Sequence, residues 1–296
     1  MEKIHYLKLV AVVLFVSLAS CNMQNRTFSE SDIQIIPKPA ELTLTKGVFK
    51  FSESTKFVVG NESQKEISNA LINKFQKATG WNLNVIEEIP QNDYVQFITD
   101  ASFENEAYKL EVTSQKISIT ASGNAGFIYG LESIRQLLPV AVESSEIVSN
   151  VEWIIPTIVI NDKPRFKWRG LMLDLSRHFF DKEYIKEVID GLAMHKMNVL
   201  HLHLVDDQGW RIKIKKYPKL TEVGAWRVDQ EDKHWNAKDP VASGEKGTYG
   251  GFLSQEDLKE LVKYGQSKNV EIIPEIEMPA HVSSAIAAYP ELSCFE

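Results

Sequence analysis

Leu171 to Val205 reads LMLDLSRHFFDKEYIKEVIDGLAMHKMNVLHLHLV, and its periodicity changes twice. Leu171–Leu175 is a short apolar run. Lys182–Lys196 places Ile185, Val188, Ile189 and Leu192 at helical spacing, and Val199–Val205 is apolar again. The alternation returns downstream. Ser254 is an N-cap before a helix over Gln255–Lys268, with Leu258, Leu261, Val262 and Gly265 inward, and Val270–Ile276 is a third apolar run. Strand, helix, strand, helix, strand, with continuous apolar strands, predicts a parallel sheet buried on both faces. A barrel and an open doubly wound sheet both fit the pattern. No glycine-rich phosphate loop follows any of these strands, which counts against a nucleotide-binding sheet.

The polar residues gather where the strands end. The first strand runs into Asp174, Ser176, Arg177 and His178. The second runs into Asp206, Asp207 and Gln208, and the third into Glu275, Glu277 and His281. The carboxyl ends of strands in a parallel barrel form one face, and active sites assemble there. Charge buried for packing alone is costly, so three consecutive strands ending in ionisable groups point to a site. Each residue also has a plainer reading. Arg177 is either a surface ion-pair partner or a planar fork for sugar hydroxyls. Asp206 and Asp207 are adjacent and point to opposite faces, so one can face the site while the other ties down the next loop. His281 either caps a helix starting at Val282 or orients a neighbouring carboxylate. Trp210, Trp226 and Trp235 are core or lid residues, or aromatic walls of a sugar pocket. His201 and His203 have a metal-ligand spacing. Because they lie inside the strand rather than at its end, they are read as packed, hydrogen-bonded histidines, with a metal-dependent hydrolase as the alternative.

The rest of the chain frames this region. Of 296 residues, 44% are hydrophobic and 25% charged, with a formal net charge of -7. The composition is that of an ordinary globular protein, and no basic cluster suited to a phosphate backbone is present, so nucleic acid is not an expected partner. Residues 1–20 carry Lys3 and Lys8 ahead of an apolar run, Leu9–Leu18, and lead into Leu18-Ala19-Ser20-Cys21. This is the grammar of an export signal ending in a lipoprotein cleavage box, so lipid is expected on Cys21. The expected location is an exported bacterial lipoprotein, membrane-anchored in the periplasm or at the cell surface. The second cysteine, Cys294, lies at the far end, so no disulfide framework is expected. Residues 21–32 read as a tether. Residues 33–163 mix short strands (Phe49–Phe51, Lys56–Val59, Tyr94–Thr99, Tyr108–Thr113, Lys116–Ala121) with helices at Glu66–Thr79 and Ala125–Leu138. They predict a small α+β domain with a largely antiparallel sheet and a supporting role. Residues 164–296 form the second domain.

Several motifs together resemble glycoside hydrolase family 20, the β-N-acetylhexosaminidases. They are FKWRGLMLDLSRHF (Phe166–Phe179), NVLHLHLVDDQGWR (Asn198–Arg211), Tyr249-Gly250-Gly251-Phe252 and PEIEMPAH (Pro274–His281). Ile36-Pro37-Lys38-Pro39 and GFIYGLESIRQLL (Gly126–Leu138) are similar to the family's accessory domain. Ala280 stands where the family usually has glycine. The resemblance implies an α/β fold, namely about the first three strands of a TIM (β/α)8 barrel preceded by an α+β domain. It implies removal of terminal non-reducing β-linked N-acetylglucosamine or N-acetylgalactosamine from glycans, with the substrate's own acetamido group as nucleophile and no metal or organic cofactor. Arg177 would bind the terminal sugar, with Asp207 and Trp210 also expected at the substrate. Asp206 and His281 would form a relay to a general-acid glutamate. The family's Asp-Glu catalytic pair lies beyond the histidine motif, and no Asp-Glu dipeptide occurs in residues 1–296. This segment is therefore expected to be a fragment without activity of its own, the alternative being a non-catalytic glycan-binding remnant.

Overall fold

The computed structural model describes residues 28–234 and 244–294. Cys21, the export signal, most of the tether and Trp235 lie outside the described residues. The chain divides into two compact units, one ending at Arg165 and the other starting at Phe166. No helix among the described residues is long and apolar enough to cross a membrane.

The first unit is a seven-stranded sheet. Its strands are β1 (Glu41–Lys50), β2 (Lys56–Val58), β3 (Asn84–Ile86), β4 (Tyr94–Thr99), β5 (Tyr108–Val112), β6 (Lys116–Ala121) and β7 (Ile154–Asp162), in the order β1-β7-β5-β6-β4-β2-β3. The expected antiparallel pairing holds for one half, where β1, β7, β5 and β6 run alternately. In the other half β6, β4, β2 and β3 are parallel. The sheet is therefore mixed, not largely antiparallel. The physical reason is helix α1 (Glu62–Thr79), which returns the chain from β2 to a parallel neighbour as only a long crossover can. Asn61 opens α1 by accepting from the Gln64 N–H, and Gly80 closes it in the left-handed region at φ 79°. Strand β5 alternates cleanly: Tyr108, Leu110 and Val112 face inward, Lys109 and Glu111 outward. The inward side chains share one apolar core with Ile67, Leu71 and Phe75 of α1, and with Phe127, Leu131 and Ile134 of α2 (Asn124–Leu137). The Phe49–Phe51 reading caught only the end of β1, and β7 was missed although IIPTIVIND is rich in β-branched residues.

In the second unit β8 (Gly170–Asp174), β9 (Val199–His203) and β14 (Glu271–Glu275) form a parallel sheet with β9 central. Between β9 and β14 lie two-residue strands β10 (Val205–Asp206), β11 (Gly209–Trp210), β12 (Trp226–Arg227) and β13 (Tyr249–Gly250), and the short helix α4 (Lys219–Glu222). Helix α3 (Lys182–Met194) links β8 to β9, and α5 (Gln255–Ser267) precedes β14. A six-residue helix, α6 (Ser283–Ala288), follows the sheet. Leu200, Leu202 and Leu204 pack with Ile185, Ile189 and Leu192 of α3 and Leu261 of α5. The expectation that all three strands are buried on both faces holds only for β9. Leu171 and Met172 of β8 are 45% and 51% exposed. Edge strands have a neighbour on one side only, and no second layer covers the face opposite the helices among the described residues.

Two helix glycines give a paired test of this packing. Gly126 of α2 is buried where a Cβ would collide with the Ala107 carbonyl oxygen and lie 2.6 Å from the Ala121 Cβ. Gly191 of α3 has nothing within 4 Å of such a Cβ. Alanine adds about 1 kcal/mol of helix propensity at either place. At Gly126 overpacking, at about 1–3 kcal/mol, outweighs that gain. Urea unfolding should therefore show Gly126→Ala destabilised and Gly191→Ala stabilised. Equal shifts of the same sign would contradict the packing described.

Candidate active site

The site grows from the register of the three parallel strands. Asp174, His203 and Glu275 are paired across β8, β9 and β14. Alternation along β9 sends Leu200 and Leu202 to the helices and His201 and His203 to the opposite face. The His203 side chain is 8% exposed, and both ring nitrogens face carboxylates: Nε2 is 3.0 Å from Asp206 Oδ2, and Nδ1 is 3.0 Å from Glu275 Oε2. Burial alone would push its pKa down, but the hydrogen bonds to Asp206 and Glu275 outweigh burial and raise it above the ordinary histidine value. His201 Nε2 lies 2.5 Å from the same Glu275 oxygen. Burial acts to raise Glu275, yet the bonds from His203 and Glu277 hold it below the usual carboxylate range, while the bond to Glu275 raises Glu277. His203 is thus packed and hydrogen-bonded, as expected, whereas the His201 side chain is 36% exposed. Their partners are the strand-end carboxylates, however, and not the packing of an ordinary strand.

Asp206 is the hub. It is 1% exposed and both its oxygens are used. Oδ2 receives Arg177 Nη2 at 2.5 Å and His203 Nε2 at 3.0 Å. Oδ1 receives the Asp207 N–H at 2.6 Å and faces His281 Nδ1 at 3.3 Å. Two hydrogen bonds, with the Arg177 and His281 nitrogens beside them, compensate the burial of this carboxylate. Arg177 also gives Nη1 to Asp174 Oδ2 at 2.8 Å and Nε to Gln208 Oε1 at 3.2 Å. It remains 46% exposed, so part of its five-donor fork still faces solvent. His281 adopts φ 53°, and its side chain is 52% exposed. The left-handed residue of this turn is His281 and not Ala280, so alanine at 280 is accommodated. Arg177, Asp206 and His281, singled out at three separate strand ends, therefore lie together.

Of the two other expected substrate contacts, Asp207 stays beside the site, with Oδ2 3.7 Å from His281 Nδ1, and Trp210 does not. Asp207 Oδ1 accepts from the Ser283 N–H at 3.1 Å and from its hydroxyl at 2.8 Å, so it ties down the start of α6. The Ser283 hydrogen bonds hold its carboxyl below the usual range. Both carboxylates face His281 Nδ1, Asp206 buried and Asp207 exposed, so the expected division between opposite faces is not seen. Trp210 is 5% exposed inside the helix-facing apolar core, and its indole N–H is committed to the Ile212 carbonyl at 2.7 Å. The hairpin of β10 and β11 turns it inward, so it is a core residue and not a sugar platform. Trp226 is 42% exposed and gives its indole N–H to the Thr221 carbonyl.

Sequence reading missed the residue beneath the site. Arg211 is fully buried and bonds only to backbone carbonyls. Nε donates to Leu175 at 3.0 Å, Nη1 to Ala225 at 2.5 Å and Gly251 at 3.2 Å, and Nη2 to Ser176 at 2.7 Å and Gln208 at 3.4 Å. Burial, with Arg227 nearby, pushes its pKa down to about 10. Gly209 and Gly250 are demanded by this arrangement. A Cβ at 209 would collide with the Arg211 guanidinium, and one at 250 with the Ala225 carbonyl that Arg211 holds. The only sequence signal was its place at the end of the NVLHLHLVDDQGWR motif.

Two groups of side chains bring ligand atoms close enough for a cation: His203, Glu275 and Glu277, and Asp206, Asp207 and His281. A metal-bound histidine is deprotonated at its ligating nitrogen. The carboxylates around His203 favour the opposite, protonated form.

Comparison with known proteins follows the same two units. The sequence model for the glycosyl hydrolase family 20 catalytic domain matches residues 166–296, and that for domain 2 of the same family matches residues 32–163. The chain is 36% identical over 291 residues to a beta-hexosaminidase of Porphyromonas gingivalis, covering 96% of this chain and 36% of that protein. It is 32% identical over 283 residues to a beta-hexosaminidase of Vibrio furnissii, covering 95% of this chain and 44% of the relative. The family 20 β-N-acetylhexosaminidase of Streptomyces coelicolor superposes with a TM-score of 0.79 at 32% identity, over 89% of this chain and 50% of that one. An exo-β-N-acetylglucosaminidase from Vibrio harveyi, solved with N-acetylglucosamine, gives 0.75 at 30% identity over 88% and 38%. The chain thus spans half or less of these relatives, and its second unit has the fold of the opening strands of their barrel.

Two outcomes are expected from this geometry. Arg211→Met removes five hydrogen bonds to carbonyls, leaving those of Leu175 and Gly251 without the donor they have here, and an unsatisfied buried group costs about 1–3 kcal/mol. Unfolding should show a loss of several kcal/mol, with faster amide exchange in residues 175–177, 208–211 and 225–227. A loss below about 0.5 kcal/mol, the range of an ordinary surface change, would contradict the role given to Arg211. The second concerns pH. His203 has a raised folded-state pKa, so its stabilisation is complete below the unfolded value of about 6.5 and is lost as pH rises through the folded value. Chemical unfolding should show stability falling with pH above about 6.5, and His203→Gln should flatten that slope. An unchanged slope in the variant would assign the effect to another group.

Proposed function

The chain belongs to glycoside hydrolase family 20, and we propose that it supplies the accessory domain and sugar-holding strands of a β-N-acetylhexosaminidase. The observation that carries this reading is the Asp206–His281 pair, with Nδ1 3.3 Å from Oδ1, beside an arginine fork that is only partly occupied. In the proposed reaction Arg177 holds hydroxyls of a terminal β-linked N-acetylhexosamine. Asp206 fixes the inner nitrogen of His281, leaving the exposed side of its ring to face the general acid. The acid glutamate and the aspartate that positions the acetamido group are family features with no counterpart among residues 1–296, which contain no Asp-Glu dipeptide. The substrate's acetamido oxygen then attacks the anomeric carbon as the acid protonates the leaving oxygen. Terminal N-acetylglucosamine and N-acetylgalactosamine on glycans are the proposed substrates. Cys21 is proposed to carry lipid and to anchor the protein to a membrane, on the strength of the Leu-Ala-Ser-Cys box.

Residues 21–296 alone should not turn over a chromogenic β-N-acetylglucosaminide, since a general acid typically contributes about 10²–10⁴-fold. Robust turnover by this segment would refute the assignment of the acid to another part of the chain. In an enzyme completed with its remaining barrel strands, Arg177→Ala should raise KM and lower kcat together, because the fork serves ground and transition states. Asp206→Asn and His281→Ala should lower kcat more than they raise KM, with non-additive losses in the double variant. Fully additive losses and unmoved pH–rate limbs would reduce the pair to scaffold. Membrane fractionation of Cys21→Ala tests the anchor, since a variant that fractionates like the parent would exclude it.

A further inference from the structure

Asp206 meets His281 through Oδ1, which the Asp207 N–H also holds at 2.6 Å, so the carboxylate is locked only if Oδ2 is held as well. Arg177 is a poor anchor, because under the proposed reaction the same half-exposed fork must also serve the sugar. His203 lies on the central strand β9, is 8% exposed, and holds Oδ2 at 3.0 Å. Its own ring is clamped from the other side by Glu275 Oε2 at 3.0 Å, in register one strand away. We propose that His203 is a positioning residue, held between Glu275 and Asp206, that locks the Asp206 carboxylate with Oδ1 toward His281. The proposal rests on the hexosaminidase reading for its kinetic consequence, and on this chain alone for its geometry.

The surroundings support the assignment. The charged groups facing His203 are Asp174 from β8, Arg177 from the loop after it, Asp206 from β10 and Glu275 from β14. His201 and Glu277 stand behind Glu275. Arg177 Nη1 comes within 3.3 Å of His203 Nε2. When that nitrogen carries a proton for Asp206 the two are donors facing each other, and Asp206 Oδ2, in contact with both Arg177 and His203, holds the two side chains in place. A histidine present only to fill space would not need both nitrogens directed at carboxylates, nor a third strand to supply one of them.

The test has two arms. In the chain itself, nitrogen-15 spectra of the histidine side chains report whether His281 Nδ1 is hydrogen-bonded, with no need for activity. His203→Ala should remove the Asp206-dependent signature of His281 Nδ1, and Asp206→Asn should produce the same change in the parent. His203→Gln, which keeps one donor, should retain part of it. In the completed enzyme His203→Ala should lower kcat by about 10²-fold, the cost of a small misplacement at a reacting site, with KM within about twofold. His203→Gln should recover part of that loss. Should His203→Ala fail to fold, the glutamine variant carries both arms, with an intermediate loss expected. A folded variant with unchanged His281 signals, or with unchanged kcat, would overturn the proposal. If the completed parent enzyme proves inactive on N-acetylhexosaminides, the functional reading falls, while the spectra still decide the geometric role of His203.

Discussion

A buried guanidinium that donates to backbone carbonyls holds the second unit together. Removing a cation from water costs several kcal/mol even after the protein relaxes. Hydrogen bonds involving a charged group contribute about 1.5–3 kcal/mol each, so the bonds that Arg211 makes to carbonyls are of the size needed to offset that cost. The consequence is geometric as well as energetic. Leu175 and Ser176 follow β8, Gln208 lies in the hairpin after β9, and Ala225 and Gly251 flank the β12–β13 pair. One planar group therefore sets the relative positions of the loops that leave the sheet. Arg227 extends the same device, giving Nη1 to the Gln208 carbonyl at 3.1 Å and Nη2 to the Arg177 carbonyl at 2.8 Å. The backbone that presents Arg177 and Asp206 is thereby fixed from below by arginines that never reach the site.

Above that support, carboxylates alternate with basic side chains. Asp174, Asp206, Glu275 and Glu277 are interleaved with Arg177, His201, His203 and His281. Arrays of this kind add little net stability, since desolvation offsets attraction, but removing one member leaves its partner uncompensated. Stability comes from the leucine, isoleucine and valine layer on the helix side. The polar side contributes orientation, which is why the two faces of β9, one residue out of step, are so unlike.

Much of the second unit was legible because its signals are local. Ser254, with Asp257 three residues on, forms a capping box, and the apolar stripes of α3 and α5 follow the helical period. Arg177, Asp206 and His281 were legible as neighbours because parallel strands end on one rim, so adjacency in space follows from the topology alone. Register is what sequence could not supply. The pairing of Asp174, His203 and Glu275 depends on which residues of three distant segments stand opposite one another, and so do the partners of His203. The inward turn of Trp210 is set by a two-residue hairpin, and the parallel half of the first sheet by where α1 returns the chain. In each case a long-range pairing decided what local propensity left open.

The division of labour along the chain has a mechanistic consequence under the proposed function. The first strands of the barrel carry groups that hold and tune, namely an arginine fork and a carboxylate–imidazole pair. The group that gives its proton to the leaving oxygen comes from elsewhere. The holding part is already assembled here: the four nitrogens that face the Asp206 carboxylate all come from residues 177–281. Such a site does not wait for the acid in order to acquire its shape. The later strands then need only deliver a carboxyl group to a prearranged imidazole, so the precision of that contact is set by the rigidity of Asp206. Rigidity in turn passes down through His203 to the central strand, and through the loop carbonyls to Arg211.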